Sequence, residues 1–266
     1  MIVDSKTFDN GTICATEQSI VVDQSIKQSV INELKNNGAY FLNEEEKKKM
    51  EAIISPGKGV INPEIVGQPA VKIAEMAGVA VPPNTRLLIA EEDRVGKEVP
   101  FSLEKLAPIF ALYTANTQEE ALDRCQELLN LGGRGHTYSL HTNDDKVVDK
   151  FGKAMPVSRV LVNTLSSIGS VGATTALIPS MTLGCGAYGG NISSDNITAR
   201  HLYNVKKIAY GIKNVQVPQP GNAAQDNDTI ENRVKKAIID SNRSDSISMD
   251  KIEQIVKQVL KEYQNQ

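Results

Sequence analysis

An α/β fold built on a largely parallel sheet is what this sequence predicts, and three observations carry the prediction. Short apolar runs alternate with segments whose apolar residues recur at helical spacing. Gly, Asn and Pro punctuate the boundaries between them. And 266 residues with 40% hydrophobic side chains can bury a proper core without disulfides or metal. Ser19 to Val22 reads as a short buried strand. Gln24 to Asn36 follows as a helix with Ile26, Val30, Ile31 and Leu34 on one face, stopping at Gly38. Asn43 caps a charged helix toward Ile54. Asn62-Pro63 opens another, in which Ile65, Ala70, Ile73 and Ala77 recur before Gly78. Then come a strand from Arg86 to Ala90, a second from Ile109 to Thr114, a helix from Thr117 to Asn130, and a strand from His136 to Thr142. A helix from Asn143 to Lys153 and a strand from Arg159 to Val162 complete the alternation, which implies strands joined by helical crossovers.

After Asn163 the pattern gives way to LSSIGSVGATTALIPSMTLGCGAYGGNISSDN. A stretch of that length without periodicity is functional or disordered rather than a simple connection. It contains GCGAYG, a literal GxGxxG, but that fingerprint needs a strand before it and a helix directly after it. Ser180 to Leu183 is short and GNISS reads as a turn, so a glycine-rich surface turn is the better reading. Past Gly211, NVQVPQPGNAAQDND has the composition of a tether. In SMDKIEQIVKQVLKEYQ, residues Met249, Ile252, Ile255, Val256, Val259, Leu260 and Tyr263 form one apolar face. Such a helix docks on its parent domain, pairs with a copy of itself, or recognises another protein's groove, and the tether favours the last. The resulting organisation is a domain over residues 1–213, a linker over 214–229 and a helical tail over 230–266.

The net charge of -3 is spread over mixed signs, which argues against a nucleic-acid partner, since a phosphate-binding face needs clustered Lys and Arg. No segment has the length and apolarity of a membrane span, and Asp4, Lys6 and Asp9 exclude an apolar signal at the start. Three cysteines without CxxC spacing point to a reducing cytoplasm.

One of those cysteines stands apart. Cys14 lies in DNGTICATEQS, among a turn-forming Asn-Gly pair and two Thr residues, whereas a cysteine kept for packing sits among apolar neighbours. The setting suits an accessible loop in which a thiolate can be reached. Cys125 falls inside a helix and Cys185 between glycines. His141 and His201 have no carboxylate or cysteine at ligand spacing, so no metal site is expected. EEEKKK reads as a solvated helix face with i,i+4 pairs.

Residues Ile2 to Lys213 resemble the catalytic half of a CoA-acylating aldehyde dehydrogenase, of the kind found in bacterial microcompartments and in the aldehyde half of bifunctional aldehyde-alcohol dehydrogenases. The resemblance is carried by SKTFDNGTICATEQSIVV, by SRVLVNTLSSIGSVGATTALIPSMTLGCGAYGGNISSDN, and by HLYNVKKIA. It implies that Cys14 is the nucleophile, attacking an aldehyde carbonyl to give a thiohemiacetal that yields its hydride to NAD, and that the thiol of coenzyme A then cleaves the thioacyl enzyme. The backbone N–H of Cys14 would help hold the oxyanion. Glu104, in SLEKLAPIF, matches a glutamate that accepts hydrogen bonds from the nicotinamide ribose. His136, in GGRGHTYSLHT, matches a histidine of the acylating branch that orients substrate or assists proton transfer; a histidine at a strand end bonded to backbone is the plainer reading. MDKIEQIVKQVLKEY is similar to encapsulation peptides, which implies a microcompartment shell protein as partner of residues 248–263. A homo-oligomer, and a location in the cytoplasm or a microcompartment, follow from the same likeness.

The family places a dinucleotide-binding domain and an oxyanion-hole asparagine ahead of the cysteine, while here a dozen residues precede Cys14. The expectation is therefore a chain inactive by itself, with a non-catalytic cargo or interaction protein as the competing reading.

Overall fold

The computed structural model describes residues 1–57 and 59–215, with Asp250, Ile252, Glu253, Val256, Lys257 and Lys261 of the tail. The remainder of the expected linker and most of the apolar stripe over 248–263 lie outside the described residues. The six tail residues are helical, and Lys257 pairs with Glu253 at 3.0 Å. The chain divides into two compact units, Met1–Asn204 and Val205–Gln266.

The first unit holds two parallel sheets. In chain order its elements are α1 (Ile2–Thr7), β1 (Ser19–Asp23), α2 (Lys27–Asn36), β2 (Ala39–Phe41), α3 (Glu44–Ile54), α4 (Ala70–Met76), β3 (Leu87–Glu91), β4 (Ile109–Ala115), α5 (Gln118–Leu131), β5 (Gly135–Leu140), α6 (Asp145–Ala154), β6 (Val157–Val162) and α7 (Ser166–Gly169). Four strands form one sheet in the order β1-β4-β3-β2, every neighbouring pair parallel, and β5 and β6 form a separate parallel pair.

The period-2 geometry of strands explains the composition of β3 and β4. Leu87, Ile89, Phe110 and Leu112 pack with Val3 of α1 and with Ile31 and Leu34 of α2 on one face. Leu88, Ala90, Ile109, Ala111 and Tyr113 pack with Met50 and Ile54 of α3 and with Ala70, Ile73 and Ala74 of α4 on the other. Both strands are thus covered on both sides, which is why they read as continuous apolar runs. The smaller pair is covered by α5 and α6 through Cys125, Leu129, Phe151 and Met155, with the Tyr138 and Phe151 rings stacked at 6.3 Å.

Local chemistry sets the helix starts. Asn43 accepts hydrogen bonds from the N–H groups of Glu45 and Glu46 at 3.0 Å while Glu46 accepts from the Asn43 N–H at 2.9 Å, a reciprocal cap at the head of α3. Thr117 and Asp144 cap α5 and α6 in the simpler way.

Four elements depart from the sequence expectation, one of them α7, a single turn at the start of the stretch read as irregular. The helix read from Asn62 to Gly78 is two pieces, a 3-10 turn at Pro63–Ile65 and then α4. Gly67 adopts φ +68° and donates its N–H to the Leu106 carbonyl at 3.0 Å, so the chain breaks there and restarts after Pro69. β2, three residues on a sheet edge, and α1 went unread because each is too short to show a period.

Candidate active site

Parallel pairing decides where the site lies. β1 and β4 are neighbours, with Ser19 opposite Ala111. The segments leading into them, one carrying Cys14 and the other Glu104, are therefore set side by side at the same end of the sheet, although 90 residues separate them in sequence.

The Cys14 turn is built from left-handed backbone. Asp9, Asn10 and Gly11 have φ of 49°, 48° and 80°, a conformation that Asp, Asn and Gly tolerate better than other residues. Thr12 Oγ1 closes the turn on the Asp9 carboxylate at 2.6 Å. At Gly11 a β-carbon would stand 2.9 Å from the Ala107 carbonyl carbon, so the turn approaches the Glu104 segment as closely as only glycine permits. Cys14 itself is exposed, as its polar setting predicts.

The electrostatics differ from that expectation. Partial burial of the sulfur pushes the Cys14 thiol up, the Glu104 carboxylate pushes it further, and Cys185 adds to both; the backbone N–H groups of Cys14 and Ala15 pull the other way without winning. The thiol is reachable but is held protonated near neutral pH, so its use as a nucleophile requires a proton acceptor.

Opposite this turn lies the glycine-rich stretch. Arg159, only 4% exposed, reaches from β6 to donate to Asn196 Oδ1 at 3.0 Å, to the His136 carbonyl at 3.1 Å and to the Gly184 carbonyl. Burial lowers its pKa, and the Cys185 and Cys14 sulfur atoms oppose that shift. Cys185 lies on the stretch so held, its N–H donating to Asn191 Oδ1 at 2.9 Å. Gly184 to Gly189 is a loop with a 3-10 turn at Ala187–Gly189, without the helix a nucleotide fingerprint needs directly after it. Its closeness to β5 is extreme: a β-carbon on Gly135, at φ +84°, would come within 2.3 Å of the Cys185 carbonyl oxygen.

Of the residues singled out from sequence, Cys14 and Glu104 are brought together, and Cys185 joins them within electrostatic reach. His136 is tied to this neighbourhood through its backbone carbonyl and Arg159; its Nδ1 lies 2.9 Å from Thr137 Oγ1, and burial, then Arg159, hold the imidazole pKa down. Cys125 is buried in α5, its thiol pushed up to about 11 by burial. His201 pairs with Asp195 at 3.1 Å, and among the described residues no His, Cys, Asp and Glu group could hold a metal. Arg159, Lys6, Lys105 and Glu17 escaped notice in the sequence. Arg159 has a signal, a charge inside the otherwise apolar stretch VSRVLV, whereas Lys6 and Glu17 stand among polar neighbours, Lys105 directly follows Glu104, and these three have none.

The opposite end of the sheet has a cavity of about 420 Å³ lined in part by Glu44, Lys47, Glu91, Glu92 and Arg124. Of its charges, Glu91 is paired with Lys27 at 2.6 Å and Glu92 with Lys47 at 2.9 Å. Among the described residues no helix is long and apolar enough to cross a membrane.

No family model matches the chain. Known proteins do. The bifunctional aldehyde-alcohol dehydrogenase of Escherichia coli is 43% identical over 219 residues, which is 80% of this chain and 24% of that protein. An acetylating aldehyde dehydrogenase from Geobacillus thermoglucosidasius superposes with a TM-score of 0.79 at 51% identity, covering 82% of this chain and 48% of that one. A propionaldehyde dehydrogenase from Rhodopseudomonas palustris, solved with bound CoA and an acylated cysteine, gives a TM-score of 0.64 at 26% identity over 73% of this chain and 43% of that one. Over about four fifths of its length, then, this chain is a homologue of the acetylating aldehyde dehydrogenases, spanning about half the length of the Geobacillus enzyme.

Proposed function

We propose that this chain carries the cysteine chemistry of a CoA-acylating aldehyde dehydrogenase, the reaction that converts a short aldehyde, coenzyme A and NAD to acyl-CoA and NADH. The observation that supports it best is the 51% identity to an acetylating aldehyde dehydrogenase over 82% of this chain. Cys14, exposed on a turn of small residues, adds through its sulfur to the aldehyde carbonyl, and its own N–H is a donor for the developing oxyanion. Because the thiol is held protonated, a base must accept its proton; His136, kept neutral by burial and by Arg159, is the residue for that role or for orienting the substrate. Glu104 is exposed and ionisable beside Cys14, and a carboxylate there suits the two O–H donors of a ribose. NAD, when bound, supplies the hydride acceptor. The thiolate of coenzyme A attacks the thioacyl carbon, the bond to Cys14 sulfur breaks, and acyl-CoA leaves.

The last step run backwards tests the reading without NAD. In acetyl-CoA the Cys14 thiolate attacks the thioester carbon and CoA departs as thiolate, so mass spectrometry should find an acetyl group on the Cys14 peptide, lost in Cys14→Ser. Acetylation of Cys185 alone, or of no cysteine in the folded chain, would overturn it. A non-catalytic cargo protein is the reading left in that case. The narrower assignment, to the aldehyde half of a bifunctional enzyme, rests on the 43% identity to the Escherichia coli protein. The tail's apolar stripe supports a further role for residues 248–263 in binding a microcompartment shell. Residues 222–266 fused to a fluorescent protein should then enter shells, and the double substitution Ile255→Asp and Leu260→Asp should keep the fusion diffuse.

A further inference from the structure

Lys6 and Lys105 are both fully buried. They converge on one residue of the Cys14 turn. The side-chain carbonyl of Gln18 accepts from Lys6 Nζ at 3.2 Å and from the Lys105 backbone N–H at 3.1 Å, and the backbone carbonyl of Gln18 accepts from Lys105 Nζ at 3.2 Å. Lys105 Nζ also donates to the carbonyls of Phe101 at 2.6 Å and Leu103 at 2.7 Å, on the segment that holds Glu104. Its three donors therefore find three acceptors. Gln18 Nε2 meanwhile reaches back to the Thr16 carbonyl at 3.4 Å, inside the turn. Next door, Leu106 is held at φ +48°, a conformation a leucine keeps only where its surroundings over-determine it.

We propose that Gln18 and Lys6 are positioning residues of the Cys14 reaction: with Lys105 they clamp the turn from Gly11 to Gln18 against the Glu104 segment, fixing the backbone N–H groups of Cys14 and Ala15 toward the Cys14 sulfur. The inference rests on the reading of Cys14 as nucleophile. Charge placement agrees with it. Burial draws the Lys6 ammonium down to about 7, against the pull of the Glu17 and Glu104 carboxylates, and burial, with Lys6 adding to it, holds Lys105 well below its ordinary value. Two amines whose charged forms would each be more stable in water are kept under one turn, which a packing role alone would fill with apolar side chains at lower cost. Lys6 Nζ also lies 5.6 Å from the centre of the Phe110 ring, so it is anchored to the sheet as well as to the turn.

The test reads the turn directly, in the whole chain, through thiol alkylation. Iodoacetamide rates are followed for each cysteine by mass spectrometry across pH, with Cys185 as internal reference and buried Cys125 as reporter of unfolding. The variants are Gln18→Met, which keeps the volume but loses the acceptor, Lys6→Met, and Gln18→Glu, which keeps an acceptor for both lysines. Loss of the clamp removes the N–H groups that favour the thiolate. In Gln18→Met and Lys6→Met the Cys14 profile should therefore move to higher pH, slowing its reaction at pH 7 by at least about threefold relative to Cys185. Cys125 should stay protected and Gln18→Glu should return the profile toward that of the parent. An unmoved Cys14 profile in both Met variants overturns the proposal, and so does a uniform acceleration, which reports only a loosened loop. If Gln18→Met exposes Cys125, Lys6→Met decides; if both expose it, the cluster holds the fold rather than the turn and the proposal is overturned. Failure of the nucleophile reading looks different. There, the parent chain already shows Cys14 reacting no faster than Cys185.

Discussion

Two buried basic side chains hold the two walls of the candidate site, and they do so differently. Lys105 is 0% exposed and gathers carbonyls two and four residues before it, together with Gln18. Arg159 is 4% exposed and joins three distant segments, at His136, Gly184 and Asn196. Among the described residues neither lies within ion-pair distance of a carboxylate. A lysine is a compact charge that organises a local loop, whereas the flat guanidinium spreads its donors across separate strands. The Cys14 wall is accordingly a tight local turn and the Cys185 wall a long irregular stretch pinned at a few points.

Removing the wider clamp should have the largest effect. Arg159→Met leaves three acceptors without their donor, two of them backbone carbonyls, and is predicted to lower unfolding stability by on the order of 4 kcal/mol in urea titrations. Lys105→Met should cost less, since two of its three acceptors, the Phe101 and Leu103 carbonyls, lie on its own loop, which can turn toward water. An equal or greater loss for Lys105→Met would break the distinction.

Glycines sharpen it. Gly135→Ala puts a methyl group 2.3 Å from the Cys185 carbonyl oxygen and Gly11→Ala puts one 2.9 Å from the Ala107 carbonyl carbon, both at positive φ. Losses of about 3 and about 2 kcal/mol are expected. The first should also speed Cys185 alkylation without touching Cys14, and the second should do the reverse.

Lys6 gives the Cys14 wall a pH signature that Arg159 cannot share. Its folded pKa, about 7, lies below the ordinary lysine value, so between these limits the unfolded chain binds more protons than the folded one. Stability must then rise with pH above about 7, by at most about 2 kcal/mol from pH 7.5 to 9, and fall as the pH drops toward 7. Lys105 acts in the same direction. Urea unfolding of Lys6→Met should show a shallower slope, and a slope equal to the parent's would exclude Lys6 as its source.

The smallest effect crosses between the walls. Cys185 pushes the Cys14 thiol up, so Cys185→Ala should let Cys14 alkylate faster at pH 7, by less than about threefold. A slower reaction would mean that Cys185 supports the turn instead of opposing it through charge.

Much of this molecule is written in its local sequence. The apolar runs of β3 and β4 announce strands covered on both faces, because alternate residues of a strand face opposite ways and here both ways are core. Asn43 with Glu46 announces the start of α3, since capping is a contact between near neighbours. Asp9, Asn10 and Gly11 announce a turn, and the polar residues around Cys14 announce its exposure, because those properties depend on the residues themselves. What only the tertiary structure decided is everything that depends on pairing across long separations. That β1 lies beside β4, and so that Cys14 lies beside Glu104, follows from a strand order no local pattern encodes. The upward push on the Cys14 thiol, the burial of Lys6, Lys105 and Arg159, and the approach of Gly135 to Cys185 share that origin: desolvation and close contact are set by atoms that meet only once the chain has folded.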